Sequence, residues 1–299
     1  MIKAVIDIGT NSTRLYVAEE ENKQINILKM LSTTRLGEGI LNSPFMLEKA
    51  MERTSDKVKE FVAIAKEKGA EKIYIYATAV VREAKNNDVF SKMIFDKTGI
   101  KLDIIPGETE GEIAFLGAAG DHISPAVIDI GGGSTEVVTK ENGILKALSL
   151  KTGGVRLKEQ FETPSGIVDI KPIKQFIKEN YIPEYKNCTD IEKAKTLIGV
   201  SGTPTTLLSL FLGLKTYEPE KIQDCVFFKE DLNKTLVYLA SLTKEERQEY
   251  SGDFKERADI IVFGGCILSA FMEYYNFDSI TVSDRDSLEG YLEMKKATE

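Results

Sequence analysis

The sequence predicts an α/β protein built as two similar halves, each a mixed sheet flanked by helices, facing one another across a cleft. Three observations carry this. Ala4-Val-Ile-Asp-Ile-Gly9 recurs letter for letter, 122 residues downstream, as Ala126-Val-Ile-Asp-Ile-Gly131. Each copy is an apolar run that ends in a turn of small residues, the pattern of a buried strand opening a hairpin. Segments with helical spacing alternate with strand-like runs, as an α/β layout requires. A chain of 299 residues suits two domains of about 150 residues. They are expected at 1–120 and 121–299, with the boundary in the Gly/Pro-marked stretch 119–125 and the last helix free to pack back on the first domain.

Taken in order, the first half opens with the hairpin. Thr10-Asn11-Ser12 forms its tip and Thr13–Glu19 the return strand. Gln24–Thr33 alternates and reads as a third strand, Leu47–Lys68 has helical periodicity, and Lys72–Ala77 and Lys101–Ile105 read as strands. In the second half Gly131-Gly132-Gly133-Ser134-Thr135 forms the tip, and Thr135–Thr139 the return strand. Gly143–Leu150, Lys195–Val200 and Ser279–Val282 read as further strands. Helices are expected at Pro204–Leu212, Asp231–Ser241, Lys244–Glu249 and Arg257–Tyr275. Thr243 followed by Glu246 is a capping-box signal. The most apolar run, Ile260–Met272, is shorter than the roughly 20 residues that span a bilayer and reads as a buried helix.

Composition sets limits. Hydrophobic residues make up 42% and charged residues 29%, the balance of a globular protein rather than a disordered one. A net charge of −8 disfavours duplex nucleic acid and anionic membranes as partners. Cys188, Cys225 and Cys266 are widely spaced with no C-x-x-C, so neither a disulfide framework nor a zinc site is expected. The start, Met1-Ile-Lys-Ala-Val, lacks a signal-peptide pattern, and a reducing cytoplasm is the expected location. His122 is the single histidine and reads as a solvated linker residue. That count removes most Ser-His and Cys-His mechanisms, and histidine-rich metal sites.

The hairpin tips are the first candidates for chemistry. Small residues leave backbone N–H groups open, and glycine lets them turn inward to hold an anion. An ordinary turn is the plain alternative for either tip alone; the repeat of both at the same spacing from an aspartate argues against it. Asp7 and Asp129 end the strands beside the tips, and Glu136 follows the second. A magnesium ion prefers a few carboxylates with waters and substrate oxygens. Asp129 and Glu136 are spaced to supply them, with Asp7 opposite; an exposed strand residue is the other reading of Glu136. Glu110 falls in the first turn of a helix after Pro106-Gly107, at the edge of the cleft. It reads equally as the group that activates water or as a partner of the helix dipole. Arg82 suits a phosphate bidentately or a surface ion pair. Lys151 and Arg156 would extend an anion path. Gly199-Val-Ser-Gly-Thr203 is either a ligand loop or a tight strand-to-helix turn. No Gly-x-x-x-x-Gly-Lys-Ser/Thr pattern occurs, so a Walker-type site is excluded.

Two phosphate-type loops facing across a cleft resemble the actin-like ATPase and sugar-kinase architecture of ribonuclease H-like domains. The likeness becomes specific in Asp7-Ile-Gly-Thr-Asn-Ser-Thr-Arg-Leu15, Ala77-Thr-Ala-Val-Val-Arg-Glu-Ala84, Gly107-Glu-Thr-Glu-Gly-Glu-Ile-Ala-Phe-Leu-Gly117 and Val127-Ile-Asp-Ile-Gly-Gly-Gly-Ser-Thr-Glu136. Gly153-Gly-Val-Arg-Leu157, Gly199-Val-Ser-Gly-Thr203 and Arg257-Ala-Asp-Ile-Ile261 match more weakly. Together these stretches resemble the exopolyphosphatase and guanosine pentaphosphate phosphohydrolase family, and they run in order through nearly the whole chain. The resemblance implies Glu110 as catalytic base and Arg82 as a phosphate contact. It implies Mg2+-dependent release of terminal phosphate from polyphosphate, with guanosine pentaphosphate as the alternative substrate. Members are often dimers, so a homodimer is expected. Longer members add a C-terminal helical domain; a chain ending at Glu299 resembles the short form. One departure stands out: Leu288, in Asp286-Ser-Leu288-Glu289-Gly290, replaces the arginine usual there. Polyphosphate is favoured because no base-reading pocket is evident in the sequence. A small-molecule kinase of the same superfamily is the rival enzyme class, for which the chain is short. A filament former or chaperone is the non-enzymatic one.

Overall fold

The computed structural model describes residues 1–20, 24–120, 122–250 and 252–297. Asp121, in the expected boundary stretch, lies outside them. The first half runs β1 (Ile2–Ile8), β2 (Thr13–Glu20), β3 (Gln24–Ser32), α1 (Glu48–Glu67), β4 (Lys72–Ala77), α2 (Ala79–Glu83), α3 (Asn87–Thr98), β5 (Leu102–Ile104) and α4 (Gly107–Ala118). The second runs β6 (Pro125–Ile130), β7 (Thr135–Glu141), β8 (Ile144–Leu150), α5 (Gly154–Phe161), α6 (Ile170–Asn180), α7 (Ile182–Cys188), β9 (Thr196–Val200), α8 (Gly202–Phe211), α9 (Pro219–Ile222), β10 (Cys225–Phe228), α10 (Lys229–Ser241), α11 (Lys244–Tyr250), α12 (Ile261–Tyr274), β11 (Ser279–Val282) and α13 (Ser287–Lys296).

The apolar runs do what their pattern demands. Every residue of β6 is buried, and so is β1 beyond Ile2; a strand covered on both faces reads as a continuous apolar run. The first sheet has the order β3-β2-β1-β4-β5 and the second β10-β11-β9-β6-β7-β8. In both, the repeated strand pairs antiparallel with its hairpin partner and parallel with the strand on its other side. This is the ribonuclease H-like arrangement expected from the repeat.

Each sheet is covered on two faces. Helix α1 lays Ala50, Met51, Val58, Phe61, Val62 and Ala65 onto the first sheet, an i, i+3, i+4 stripe. Helices α8, α10 and α12 fill the large core of the second. The remaining two faces are covered by exchange. Helix α4 packs Ala114, Phe115 and Ala118 against Val127, Val138 and Ile198 of the second sheet. Helix α13 returns to set Leu288, Tyr291 and Leu292 against Val5, Tyr16 and Tyr76 of the first. The two exchanged helices cross at glycines. A Cβ on Gly290 would sit 1.7 Å from the Ile113 carbonyl oxygen, and one on Gly117 1.9 Å from that of Asp286.

Several expectations shift. The apolar helix begins at Ile261, not Arg257, because a 3-10 turn occupies Gly252–Arg257. The capping box holds: Thr243 N donates to Glu246 Oε2 at 2.8 Å and Glu246 N to Thr243 Oγ1 at 3.2 Å. His122 is less solvated than expected, its Nε2 lying 3.7 Å from Asp224. Among the described residues no helix is long and apolar enough to cross a membrane.

Candidate active site

The two tips are built alike. Gly9 N donates to Ser12 O at 3.0 Å in the first, and Gly131 N donates to Ser134 O at 3.0 Å in the second. Each closes an antiparallel pair, Ile8 with Thr13 and Ile130 with Thr135. A later segment backs each: Gly37 N donates to Thr10 O at 2.8 Å, and Val155 N to Gly132 O at 2.9 Å. The tips then meet across the cleft. A Cβ on Gly133 would lie 2.5 Å from Thr10 Oγ1, and one on Gly132 would lie 3.2 Å from Thr10 Cβ. Side chains there would wedge the halves apart, which is the physical need for the glycine run.

Between the tips lies a narrow cleft of about 70 Å³. Asp7, Thr10, Asn11, Ser12, Glu110, Asp129, Gly131, Gly132, Gly133 and Ser134 all line it. The fold thus brings together ten of the residues singled out from sequence. Five others lie outside that lining. Glu136 is buried just behind it, one oxygen accepting from Ser149 Oγ at 2.6 Å. Thr135 gives its hydroxyl proton to the Thr152 carbonyl at 2.7 Å, because the strand pleat turns it away. Arg82 Nη1 donates to Ile105 O at 2.9 Å and to Glu110 Oε2 at 3.1 Å. Lys151 is 70% exposed and pairs with Glu83 at 3.2 Å, the surface ion pair rather than a cleft position. Arg156 braces the second tip, donating from Nε to Gly133 O at 2.6 Å and from Nη2 to Glu83 at 2.8 Å.

Electrostatics set the character of the cleft. Asp7 Oδ2 accepts from Arg14 Nε at 2.9 Å and Nη2 at 2.6 Å, while its buried Oδ1 has no partner. Burial raises this carboxyl despite Arg14. Asp129 is pushed up to about 8, first by burial and then by the charge of Glu136. Glu136 rises to about 7, again by burial, against hydrogen bonds from Ser149 and Ser134. Glu110 is held well above the carboxylate range by burial and then by Glu136, with Arg82 opposing. Carboxyl groups crowded in a dry cleft resist ionising together until a cation joins them.

Sequence reasoning missed several participants. Ser201 sits in the left-handed region at φ 64° and donates from Oγ to Asp129 Oδ2 at 2.8 Å. Its loop read from sequence as either a ligand loop or a tight strand-to-helix turn, with no role given to Ser201 itself. Arg14, Thr78, Thr203, Arg257 and Ser287 also line the cleft. Arg257 lies so close over Gly202 that a Cβ there would be 2.0 Å from its guanidinium. Burial lowers its pKa to about 10. Leu288, in the first turn of α13, is fully buried against the first sheet and offers nothing to the cleft. A second cavity of about 660 Å³ shares Arg14, Ser201, Gly202 and Arg257 with the first, and adds Lys29, Lys255, Tyr217 and Phe254. The sequence alone had made no such pocket evident. Its two aromatic rings stand edge to face at 6.3 Å.

Comparison with known proteins agrees with this architecture. The chain is 35% identical, over 97% of its length, to the bifunctional 3-dehydroquinate synthase/phosphatase of Fusobacterium nucleatum, and spans 46% of that protein. It is 29% identical to exopolyphosphatase 2 of Mycobacterium tuberculosis, covering 96% of both chains. The crystal structure of an exopolyphosphatase from Cytophaga hutchinsonii superposes with a TM-score of 0.89 at 26% identity, over 100% of this chain and 98% of that one. The profile of the Ppx/GppA phosphatase family matches residues 16–298, and the chain belongs to that family.

Proposed function

We propose that this chain is an exopolyphosphatase that releases terminal orthophosphate from linear polyphosphate with the help of Mg2+. The observation that carries this is the pair of matched tips with Glu110 lining the same cleft. Tip amides and the hydroxyls of Thr10, Ser12 and Ser134 would grip successive phosphoryl groups, with Arg82 as a further phosphate contact once it leaves Glu110. Glu110 would take the proton of the attacking water. Burial raises its pKa, so its carboxylate is a stronger base than a solvated one.

The residues fit a hard cation. The donor set is oxygen only, and the buried Asp7 Oδ1 and Glu136 Oε2 lack partners. Among the described residues no three of His, Cys, Asp and Glu stand close enough to hold a metal alone. That suits magnesium, which keeps waters and substrate oxygens in its shell. Asp7 and Asp129 in the cleft wall, with Glu136 behind them, would hold it through waters and substrate oxygens rather than as a three-carboxylate cage, and bound there it would neutralise charge on the transferring group.

The test is phosphate release from the purified chain with magnesium, comparing polyphosphates of several lengths, guanosine pentaphosphate and ATP. Release without an acceptor separates a hydrolase from a kinase, and no release from any of them defeats the proposal. Guanosine pentaphosphate is the second reading, favoured by the aromatic cavity of about 660 Å³ that opens from the cleft. A cytoplasmic homodimer belongs to the same proposal, with sedimentation as its check.

A further inference from the structure

Helix α5 starts directly behind the second tip. Gly154 N donates to Gly131 O at 3.0 Å and Val155 N to Gly132 O at 2.9 Å, so helix and tip move as one piece. Farther along α5, Glu159 reaches out of its own half. Its Oε1 accepts from Gly39 N at 2.8 Å and its Oε2 from Leu41 N at 2.9 Å. Both oxygens of one carboxylate are held by backbone of the opposite half.

The receiving segment is shaped for this. Gly39 adopts φ 79°, a left-handed conformation that glycine takes without strain, and two alternate amides converge on one carboxylate. The same segment is fastened to the first tip. Arg35 N donates to Asn11 O and Gly37 N to Thr10 O, both at 2.8 Å. A Cβ on Gly37 would come within 2.2 Å of Thr10 Cγ2. The bonds therefore run without a break from first tip to loop to Glu159 to α5 to second tip.

We propose that Glu159 is a positioning residue that latches the halves shut and sets the spacing of the two tips. Its kinetic consequence rests on the hydrolase reading; the latch itself does not. Arg156 with Glu83, and Arg35 with Asp259, also cross between the halves. Those join one side chain to another rather than to backbone. Glu159 instead grips backbone in two charge-assisted hydrogen bonds. If the closed form binds substrate, loss of the latch lowers apparent affinity by the fraction no longer closed, and saturating substrate restores closure.

The experiment compares the full wild-type chain with Glu159→Ala. Hydrogen exchange at Gly39 and Leu41 should quicken about tenfold or more while α1 stays protected. Small-angle scattering should report a larger radius of gyration for the variant. With tripolyphosphate and magnesium, KM should rise about tenfold while kcat stays within about twofold. If Glu159→Ala loses protection throughout α1 and β1, Glu159→Asp takes its place, since the shorter side chain cannot span both amides. Unchanged exchange at the two amides overturns the proposal, as does an unchanged radius of gyration or an unchanged KM once those amides are freed. A wild-type chain that releases no phosphate defeats the hydrolase reading and leaves the latch to be decided by exchange and scattering.

Discussion

Arg82 and Glu110 hold one another directly, guanidinium Nη1 to carboxylate Oε2 at 3.1 Å, where the end of α2 meets the first turn of α4. Two residues assigned separate tasks from sequence therefore form one ion pair. On the proposed reading, an entering phosphoryl group would compete for the guanidinium and free the carboxylate. Glu110→Gln keeps the shape and removes the proton acceptor. Turnover should fall by about 10² to 10⁴, with tripolyphosphate binding little changed. Phosphate release beside equilibrium binding checks this, and near-normal turnover would dismiss Glu110 as the base.

The same pairing makes Arg82 a regulator of when Glu110 ionises. Arg82 is the group that pulls the Glu110 carboxyl down, against burial and the charge of Glu136. Arg82→Ala removes that pull, so a base that must be ionised becomes available only at higher pH. The acidic limb of kcat/KM against pH should move to higher pH. A limb that stays in place would show that Arg82 and Glu110 do not communicate during turnover.

Stability should carry the signature of the crowded carboxyls. Asp129 is raised from 3.8 to about 8 and Glu136 from 4.5 to about 7. Their folded forms hold protons more tightly than the unfolded chain does. That contribution is complete below about pH 4 and is lost as pH rises through 7 and 8, by up to about 1.4 kcal/mol per pH unit for each group. In chelator, the urea midpoint should fall between pH 6 and 8.5. Magnesium should recover it, and Asp129→Asn should flatten the slope. A midpoint that rises over that range would contradict the placement of these carboxyls.

What could be read from sequence was local. Both tips were legible because everything they need lies within about ten residues: an apolar strand, an aspartate, a turn of small residues. Glu110 was legible because Pro106-Gly107 marks where its helix starts. Ser201 and Arg257 were not, because the chain brings them to Asp129 and Gly202 from far along its length. Thr135 and Lys151 were read toward the ligand, yet strand pleat and surface packing direct them elsewhere. The sequence leaves the last helix free to pack back on the first domain, but no local pattern reveals that α4 crosses to the second sheet.

That exchange rests on one close crossing. Helix α13 buries Leu288, Tyr291 and Leu292, at most 1% exposed, each worth about 1.5–3 kcal/mol of burial as an upper figure. To reach that depth the helices must touch backbone to backbone. An added methyl on Gly290 would lie 1.7 Å from Ile113 O and 2.9 Å from Gly117 N. Neither contact is with a flexible side chain that could move aside, so α4 and α13 would have to separate. Gly290→Ala should therefore destabilise the fold by about 1–3 kcal/mol or more, read as a lower urea midpoint. Moving α4 also moves Glu110, ten residues or fewer away along the same helix, so phosphate release should drop even at temperatures where the variant stays folded. A variant with wild-type stability and activity would mean that the crossing is looser than a backbone contact, and the coupling between crossing and base would then have no structural basis.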